Sequence, residues 1–366
     1  MYSQGKLCLG SGIFKEQYDA FLEEGARLTG SGRLEDFPLI GCPYEGLEQL
    51  CYASLINTGS APHENIAIEG KGVIDANGVA LFHAEMKEGR GKRGRAVCIR
   101  NTENVTVRGV TIRQSPAWCL HLIYCSGVLI DGIEVHTKYD EQGEKYAIYN
   151  CDGIDIDSCR NVRILNSLIA SQDDCIAVKS GRDEEGRRAG IPSENVIIEN
   201  CRFESGFGVA VGSEMSGGVR DVTVRDCTFH NTYSIASIKA VRGRGGYIRN
   251  IRYEKCSLIN RSEEYGDTQW FRGAIYIDGF YGEKEFEPEL PAEVNEGTPM
   301  VDGIYFKDIS VETIAGNAVY MCGLPERPFA NICLENVQAH GKHGIKTKNI
   351  EGLQMVNVNV TGDSET

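Results

Sequence analysis

The segment Asn195-Val-Ile-Ile-Glu-Asn-Cys-Arg-Phe203 alternates apolar and polar side chains with a period of two, the pattern of a β-strand with one buried face. Two similar segments follow it, Asp221-Val-Thr-Val-Arg-Asp-Cys-Thr-Phe229 and Asn250-Ile-Arg-Tyr-Glu-Lys-Cys-Ser-Leu258. Related segments open at other Asn or Gly residues, namely Asn65, Asn104, Gly127, Asn161, Gly303 and Asn331. A short unit that recurs this regularly predicts a solenoid.

The spacing of these units selects among solenoids. Successive units begin roughly 23 to 35 residues apart where no large insertion intervenes, which suits a coil of two or three strands plus turns. Leucine-rich repeats have similar periods, but their leucine ladder and helical return are missing here. In a parallel β-helix each strand pairs with its equivalent in the next coil, ~4.8 Å away. We therefore predict an all-β, single-stranded parallel β-helix that forms one domain over residues 1–366.

Composition narrows the functional classes. The 43 glycines and only 10 prolines supply turns without breaking strand ladders. The formal net charge of −14 disfavours nucleic acid and membranes as partners, because both require basic patches. The sequence gives no indication of the oligomeric state.

The cysteines at first suggest disulfides or a metal site, because the chain has 14 of them. No Cys-x-x-Cys pair occurs, and Cys201, Cys227 and Cys256 occupy the same place in consecutive units. We expect them to form an inward ladder of small apolar side chains. His340 and His343 are too isolated to suggest a metal site, so neither a metal nor a cofactor is expected.

The start of the chain bears on location. Met1-Tyr-Ser-Gln-Gly-Lys6 has no secretory signal pattern, and many free thiols suit a reducing compartment, so a cytoplasmic location is expected. The segment Gly10-Ser-Gly-Ile-Phe14 resembles an early coil, as if the solenoid were shortened at its N-terminus. If a natural N-terminus is missing, a secreted or periplasmic location is the alternative.

Three stretches interrupt the repeat, residues 138–149, 182–192 and 261–300. Long loops on a solenoid usually stand on one face and often shape a site. We expect these loops to wall a cleft, although the acidic run within residues 261–300 also fits plain solvated decoration.

Two carboxylate-bearing segments lie about one coil apart, Asn150-Cys-Asp-Gly-Ile-Asp155 and Ser171-Gln-Asp-Asp-Cys175. Stacked coils would place them side by side. Hydrolysis of a glycosidic bond needs one carboxylic acid to protonate the leaving oxygen and another carboxylate to activate water or attack the sugar. Asp152, Asp173 and Asp174 are the candidates, while capping of backbone amides at turns is the alternative role for aspartates in such places.

Four ordered motifs carry a resemblance to a known family. They are Asn150-Cys-Asp-Gly-Ile-Asp155, Gln172-Asp-Asp-Cys-Ile-Ala-Val-Lys-Ser-Gly181, Gly206-Phe-Gly-Val-Ala-Val-Gly-Ser-Glu214, and Ile238-Lys239 followed by Arg242-Gly-Arg-Gly-Gly246. This set resembles glycoside hydrolase family 28, the polygalacturonase family, in its bacterial form. The resemblance implies a right-handed helix of the pectin-lyase-like kind and an inverting, metal-independent hydrolysis. It makes Asp173 the general acid, with Asp152 and Asp174 holding and activating water.

The resemblance also implies substrate-binding residues, and the chain departs from it at two of them. Members that act on galacturonides carry a His where this chain has Phe207, and an Arg where it has Ser237. Phe207 could stack on a sugar face or serve only packing. The remaining candidates for sugar binding are Asn150, Lys179, Glu214, Lys239 and Arg242.

Three functions follow from these residues. The first is hydrolysis of pectic galacturonide linkages by an inverting acid/base mechanism, exo-acting if the loops close one end of the cleft, on an oligo- or polysaccharide substrate. The second is hydrolysis of a different substrate, such as rhamnogalacturonan or another plant glycoside, which Phe207 and Ser237 would favour. The third is a catalytically weakened carbohydrate-binding relative, against which the retained aspartates argue.

Overall fold

The computed structural model describes residues 6–9, 12–14, 19–264 and 268–363. Residues 1–5 lie outside the described residues. So do residues 10 and 11 of the expected early coil. The chain divides into two compact units, residues 1–177 and 178–366, and the strand Ile176–Lys179 contains the boundary. The assignment of residues 1–366 to a single domain stays a prediction.

In the first unit, short strands pair in parallel along three rows. The first row comprises Gly12–Phe14, Ile56–Thr58, Val97–Arg100, Leu120–Ile123 and Ile154–Asp157. The second row comprises Asp19–Leu22, His63–Gly70, Thr102–Arg108, Ser126–Asp131 and Arg160–Leu165. The third row comprises Lys6–Leu9, Arg27–Gly30, Val73–Asp75, Thr111–Arg113, Glu134–His136 and Leu168–Ala170. One strand per row per coil is the predicted parallel β-helix.

The predicted alternation explains the core of this unit. Ile68, Val107, Ile130 and Ile164 are partners in register on four successive coils, and all four are fully buried. Each such side chain contributes about 1.5–3 kcal/mol by leaving water. Because every inward position contacts its equivalents above and below, the core is a continuous ladder along the helix.

Additional elements decorate the first unit. The strands Leu39–Tyr44 and Leu47–Tyr52 form an antiparallel hairpin, the helix Gly78–Glu88 follows the strand Val73–Asp75, and Leu34–Asp36 is a single 3-10 turn. The repeat pattern predicts none of them, because each lies between two copies of the repeat.

In the second unit, one row of parallel strands comprises Val209–Val211, Ala236–Lys239, Gly273–Asp278, Asn317–Cys322 and His343–Lys348. The other two rows begin as separate strands, Ser193–Glu199, Arg202–Ser205, Val219–Arg225 and Thr228–His230. Long strands then run through both rows, namely Tyr247–Asn260, Met300–Thr313 and Phe329–Gly341, with Ile350–Glu351 and Gln354–Gly362 pairing on the last. This unit is also a parallel β-helix.

The predicted loops are correct in part. Residues 138–149 lie between strands of the helix, with one antiparallel bridge between Tyr139 and Lys145. Residues 182–192 contain the short helix Asp183–Ala189. The prediction of an inserted loop over residues 261–300 is wrong at its centre, because Gly273–Asp278 is a strand that pairs in parallel with Ala236–Lys239. The acidic run after it obscured that strand, whose six residues are all buried.

The Asn and Asp residues that open the repeats have a backbone role that goes beyond amide capping. Asn104, Asn161, Asp221 and Asn250 all adopt φ between 51° and 58°. Asn and Asp tolerate this left-handed conformation better than other non-glycine residues. They also stack between coils, as when Asn250 Nδ2 donates to Asp221 Oδ1 over 2.6 Å. The repeated Asn therefore has two roles. Its backbone forms the turn, and its side chain bonds to the equivalent residue of the neighbouring coil.

The expected cysteine ladder is confirmed. Cys201, Cys227 and Cys256 are free and buried, each at most 2% exposed. The Cys227 Sγ lies 3.9 Å from the carbonyl oxygen of Ile198, and that of Cys256 lies 3.8 Å from the carbonyl oxygen of Val224. These thiols fill small spaces between coils. Within the described residues no helix combines the length and apolarity needed to cross a membrane.

Candidate active site

The two carboxylate-bearing turns lie on neighbouring coils of the first unit, as predicted. The Asp173 amide donates to the Cys151 carbonyl over 3.3 Å, and the Gly153 amide donates to the Asp174 carbonyl over 2.9 Å. The next bond of this ladder joins the Ile154 amide to the Cys175 carbonyl over 3.0 Å. Main-chain bonds therefore fix Asp152 directly beside Asp173 and Asp174.

The glycine of the first motif permits this close approach. A Cβ at Gly153 would lie 2.4 Å from the Cys175 carbonyl oxygen and 2.6 Å from the Ile169 Cγ2. Both distances are shorter than real carbon contacts allow, and one of the atoms is backbone. The glycine in Asn-x-Asp-Gly-x-Asp is thus required by the spacing of the two coils.

The three aspartates differ in exposure. Asp152 and Asp174 are 2% and 4% exposed, whereas Asp173 is half-buried. The Asp173 Oδ1 accepts a hydrogen bond from the Asp174 amide over 2.9 Å, which orients that carboxyl group. Beneath them, burial raises the pKa of the Cys151 thiol, and the charges of Asp152 and Asp173 raise it further. The Cys151 thiol is therefore uncharged at neutral pH and adds no negative charge beside the carboxylates.

Two residues that the sequence reasoning did not assign hold the turns together. The Gln172 Oε1 accepts from the Cys151 amide over 3.2 Å. The Thr137 hydroxyl donates to the Cys151 carbonyl over 2.8 Å and accepts from the Gln172 amide over 3.0 Å. Gln172 belongs to the Gln-Asp-Asp motif, so its place in the motif was an available signal, while nothing in the sequence singles out Thr137.

Asn150 is held by residues that lie outside the strands of the β-helix. Its Oδ1 accepts from the Tyr44 hydroxyl over 3.4 Å and from the Arg93 Nη2 over 3.3 Å. Arg93 also donates to the Tyr149 carbonyl over 2.7 Å, and its guanidinium lies 5.0 Å from the Phe82 ring centroid. The hairpin therefore contacts the first motif through Tyr44, and the helix Gly78–Glu88 positions Arg93 through Phe82.

A sequence signal for the hairpin exists. Two runs rich in apolar residues, Leu39–Tyr44 and Leu47–Tyr52, are separated by only two residues, Glu45 and Gly46. Both adopt positive φ, 50° and 75°, as a two-residue hairpin turn requires. The unusual Glu at the first turn position masks the signal that Asn-Gly would give.

Two cationic candidates of the second unit, Lys179 and Lys239, act on Glu214 together with Arg244. The Lys179 Nζ lies 3.7 Å from the Glu214 Oε2, and both side chains are about nine-tenths buried or more. Burial alone would raise the pKa of Glu214, but the charges of Lys179, Arg244 and Lys239 and a hydrogen bond from Ser213 bring that pKa below its ordinary value. Glu214 is therefore an anion inside a cationic cluster.

Lys239 and Arg242 lie close in sequence but in different surroundings. The Lys239 Nζ lies 4.6 Å from the Tyr281 ring centroid. Arg242 binds Glu326 through two bonds of 2.7 and 2.9 Å, and these bonds lower the pKa of Glu326. Arg242 therefore fastens the loop that carries Glu326. Its assignment to substrate binding stays a prediction.

Phe207 and Ser237 are both tied into local structure. The Phe207 ring is half-buried and packs against Tyr233 and Phe271, at centroid distances of 5.7 and 6.3 Å. The Ser237 hydroxyl lies 2.8 Å from that of Ser234 and 3.3 Å from the Phe207 carbonyl oxygen. An aromatic cluster and a serine pair thus occupy the positions where the resemblance implies His and Arg.

Among the residues that the structure describes, no group of three or more His, Cys, Asp or Glu side chains has the spacing of a metal site. The paired turns themselves bring three carboxyl groups together. One partly exposed acid beside two buried ones provides a proton donor and a place where water can be held.

Comparison with known proteins identifies the family. The profile of "Glycosyl hydrolases family 28" matches residues 53–361. A probable polygalacturonase of Vitis vinifera is 31% identical over 348 residues, 92% of this chain and 65% of that protein. The chain therefore belongs to glycoside hydrolase family 28, as its four motifs predict.

Solved structures agree on the fold. The hyperthermoactive exopolygalacturonase from Thermotoga maritima superposes with a TM-score of 0.74 at 25% identity, over 99% of this chain and 85% of that one. The family 28 exopolygalacturonase from Yersinia enterocolitica gives 0.63 at 18% identity, over 100% of this chain and 73% of that one. The fold is the right-handed single-stranded parallel β-helix of these proteins.

The chain is shorter than the curated relatives that it matches. It spans 65% of the grape protein, and 55% and 54% of two others, a probable polygalacturonase of Arabidopsis thaliana and a probable endopolygalacturonase of Neosartorya fischeri.

Proposed function

We propose that this protein is a glycoside hydrolase that cleaves pectic galacturonide linkages with inversion at the sugar carbon. Asp173 protonates the departing glycosidic oxygen, and Asp152 and Asp174 hold and activate the attacking water. The carboxylates work in this way because protonation and attack occur on opposite faces of the sugar, with room for one water between the acid and the base.

The observation that carries the proposal is the pair of hydrogen bonds between the two motif turns. They join Asp173 to Cys151 and Gly153 to Asp174, so the three carboxylates are grouped by backbone rather than by flexible side chains. Membership of family 28, and the names of the relatives as polygalacturonases, support the same reaction.

The cationic residues of the second unit support an acidic sugar. The chain carries a net charge of −14, yet Lys179, Lys239 and Arg244 all lie close enough to Glu214 to lower its pKa. Arg244 also pairs with Asp183, so three cations and two carboxylates share this cluster. Lysine and arginine side chains gathered in this way are the groups that bind a uronate carboxylate.

The test is the release of reducing sugar from polygalacturonate, from galacturonate oligomers and from rhamnogalacturonan fragments. We expect release from the galacturonides that disappears in Asp173→Asn. The matched control is Asp131→Asn, which changes an aspartate that accepts a hydrogen bond from Asn166 in the second row of strands. Absence of release by the wild type, or an equal loss in the control, would contradict the proposal.

Inversion and the mode of cleavage follow from the same assay. Proton NMR of the first product distinguishes the two anomers before they equilibrate, and an inverting enzyme gives the anomer opposite to that of the substrate bond. Product size separates exo from endo cleavage. Similarity to the Thermotoga maritima exopolygalacturonase supports release of terminal units, and an early ladder of intermediate oligomers would contradict it.

A second candidate is hydrolysis of a related glycan, such as rhamnogalacturonan or another plant glycoside. Phe207 and Ser237 support it, since a packed aromatic ring and a buried hydroxyl stand where galacturonide-specific members carry His and Arg. Without one arginine, a bidentate contact with the sugar carboxylate worth about 1.5–3 kcal/mol is absent. Activity that depends on Asp173 with neutral or mixed fragments, and none with polygalacturonate, would favour this candidate.

The cysteines support a reducing, cytoplasmic location. All thirteen cysteines for which the structure gives a state are free, and twelve of them are buried. A protein that folds in an oxidising compartment would expose so many thiols to mispairing before its core closed. Comparing the yield of active protein after refolding with and without reductant tests this location, and equal yields would contradict it.

A further inference from the structure

A groove of about 580 Å³ opens on the second unit and contains none of the residues assigned above. Its lining consists of Thr268, Gln269, Arg272, Lys284, Phe286, Asn317, Tyr320 and Lys346. These residues supply three cations, two amides, one aliphatic hydroxyl and two aromatic rings, and no carboxylate. In a chain with 52 acidic and 38 basic residues, such a lining marks a place built for an anion.

Two of the three cations are available to a ligand. Lys284 and Lys346 are exposed, and neither lies within ion-pair distance of a carboxylate among the described residues. Lys348, two residues further along the strand His343–Lys348, is by contrast paired with Glu289 over 2.9 Å. The strand thus carries one lysine that is neutralised and another that faces the groove with its charge uncompensated.

The third cation shapes the groove. Arg272 binds the buried carboxylate of Asp278 and donates to the Glu283 carbonyl over 2.5 Å. Its guanidinium also lies 4.5 Å from the Phe286 ring centroid. Arg272 therefore fixes the segment that carries Lys284 and Phe286 against the helix, so one wall of the groove is held in place before any ligand arrives.

Strand register relates the groove to the candidate site of the same unit. Ser237, Tyr276, Tyr320 and Lys346 are partners in register on four successive coils. Side chains at equivalent positions share one face, and coils are ~4.8 Å apart, which puts Lys346 about 14 Å from Ser237 along that face. Lys239 lies on the same face, because it is two residues after Ser237 on one strand.

An aromatic pair accompanies this path. The Trp270 ring is half exposed and packs edge-on against Tyr281 at 5.3 Å, and the Tyr281 ring lies 4.6 Å from the Lys239 Nζ. Trp270 directly follows Gln269, which lines the groove. Apolar sugar faces pack on exposed rings of this kind, so the surface from Lys239 to the groove is suited to a carbohydrate.

We propose that the groove is a distal subsite that binds a uronate unit of the same glycan chain whose reacting end is held near Lys239. Lys284 and Lys346 bind its carboxylate, and the amides of Gln269 and Asn317 bind its hydroxyl groups. This assignment rests on the proposed galacturonide hydrolysis and adds to it a preference for longer substrates, since a short fragment held near Lys239 does not extend into the groove.

The test is a double substitution, Lys284→Gln with Lys346→Gln, compared with Lys348→Gln, which removes a half-buried lysine that is already paired with Glu289. We expect kcat/KM for a galacturonate hexamer to fall by about fivefold to tenfold in the double variant, and for a dimer to stay unchanged. The loss should shrink as salt is added, because exposed charges are screened. An equal effect on dimer and hexamer, or no effect on either, would overturn the subsite.

A binding measurement separates this inference from the proposed function. Calorimetric titration of Asp173→Asn with the hexamer reports affinity without turnover, and the two lysine substitutions added to that variant should weaken it by the same factor. If the wild type hydrolyses no galacturonide but the hexamer still binds through the lysines, the proposed reaction fails and the subsite stands. If hydrolysis occurs and the lysines have no influence on hexamer binding, the subsite alone fails.

Discussion

The paired turns of the first unit and the charge cluster of the second unit are held in different ways. Main-chain hydrogen bonds of 2.9 to 3.3 Å join the turns that carry Asp152, Asp173 and Asp174. The cluster around Glu214 depends on side-chain charges, with Lys179 at 3.7 Å. Main-chain bonds fix the positions of the three carboxyl groups, whereas the cluster depends on the charges of its side chains.

The largest effect is expected from removing a charge at the turns. Asp152→Asn should lower kcat roughly 10²- to 10⁴-fold, the range for loss of a general acid or base. The free energy of unfolding should stay the same or rise, because Asp152 is a buried carboxylate beside two others and the amide removes like-charge repulsion. Denaturant unfolding measured beside the steady-state kinetics checks both. A large loss of stability would mean that Asp152 is structural.

Widening the gap between the turns tests the backbone directly. Gly153→Ala places a Cβ 2.4 Å from the Cys175 carbonyl oxygen, so the coils must separate. We expect a loss of about 1–3 kcal/mol of stability. Displacement of the carboxylates by a fraction of an ångström should also lower kcat roughly 10²-fold. Gly59→Ala is the matched control, because its nearest neighbour would lie at an ordinary 3.8 Å. Equal behaviour of the two variants would contradict the account.

The stability that the charge cluster contributes should depend on pH. Glu214 has a lowered pKa in the folded protein, so its contribution to stability is present above the unfolded value of about 4.3 and is lost as pH falls through the lowered pKa. The stability difference between wild type and Glu214→Gln should therefore narrow below about pH 4.3. A difference that stays constant with pH would show that the cluster leaves Glu214 unperturbed.

Lys179→Met removes the nearest cation from the same cluster. We expect a loss of about 1–2 kcal/mol at neutral pH, less than for an isolated buried pair, because Arg244 and Lys239 remain near Glu214. The matched control is Lys307→Met, which removes an exposed lysine 2.8 Å from Glu335. Unfolding by denaturant compares them, and an equal loss in the control would contradict a special role for the cluster.

The parts of the fold that could be predicted from the sequence are the repeated strands and their stacking. Alternation, the opening Asn residues and the spacing of the units determine the rows of strands, and stacking of the coils then brings Asp152 to Asp173. The strand Gly273–Asp278 was missed because its buried residues carry no opening Asn and stand before an acidic run. A repeated fold can thus be predicted from its local sequence pattern. A single coil that lacks the pattern cannot.

The supports of the site were less accessible to prediction. Tyr44 and Arg93 lie 106 and 57 residues from Asn150 in the chain, and neither belongs to a repeat or a motif. Their contacts arise only after the hairpin and the helix Gly78–Glu88 fold against the coils. Motifs therefore locate the three candidate carboxylates, whereas the residues that orient the motifs are found only from the tertiary structure.

The smallest effect is expected from the hairpin. Tyr44→Phe removes a hydroxyl that donates to Asn150 over 3.4 Å and accepts from Arg93 over 3.1 Å, which should cost about 0.5–1.5 kcal/mol of stability. Because Asn150 leads into the turn of Asp152, kcat should fall by a few fold as well. Tyr253→Phe is the control, since its hydroxyl donates to the Val209 carbonyl over 3.0 Å in the second unit, within the core of the helix. It should lose similar stability and keep kcat. If both variants keep kcat, the paired turns hold their geometry through main-chain bonds alone, and the comparison with the charge cluster becomes sharper still.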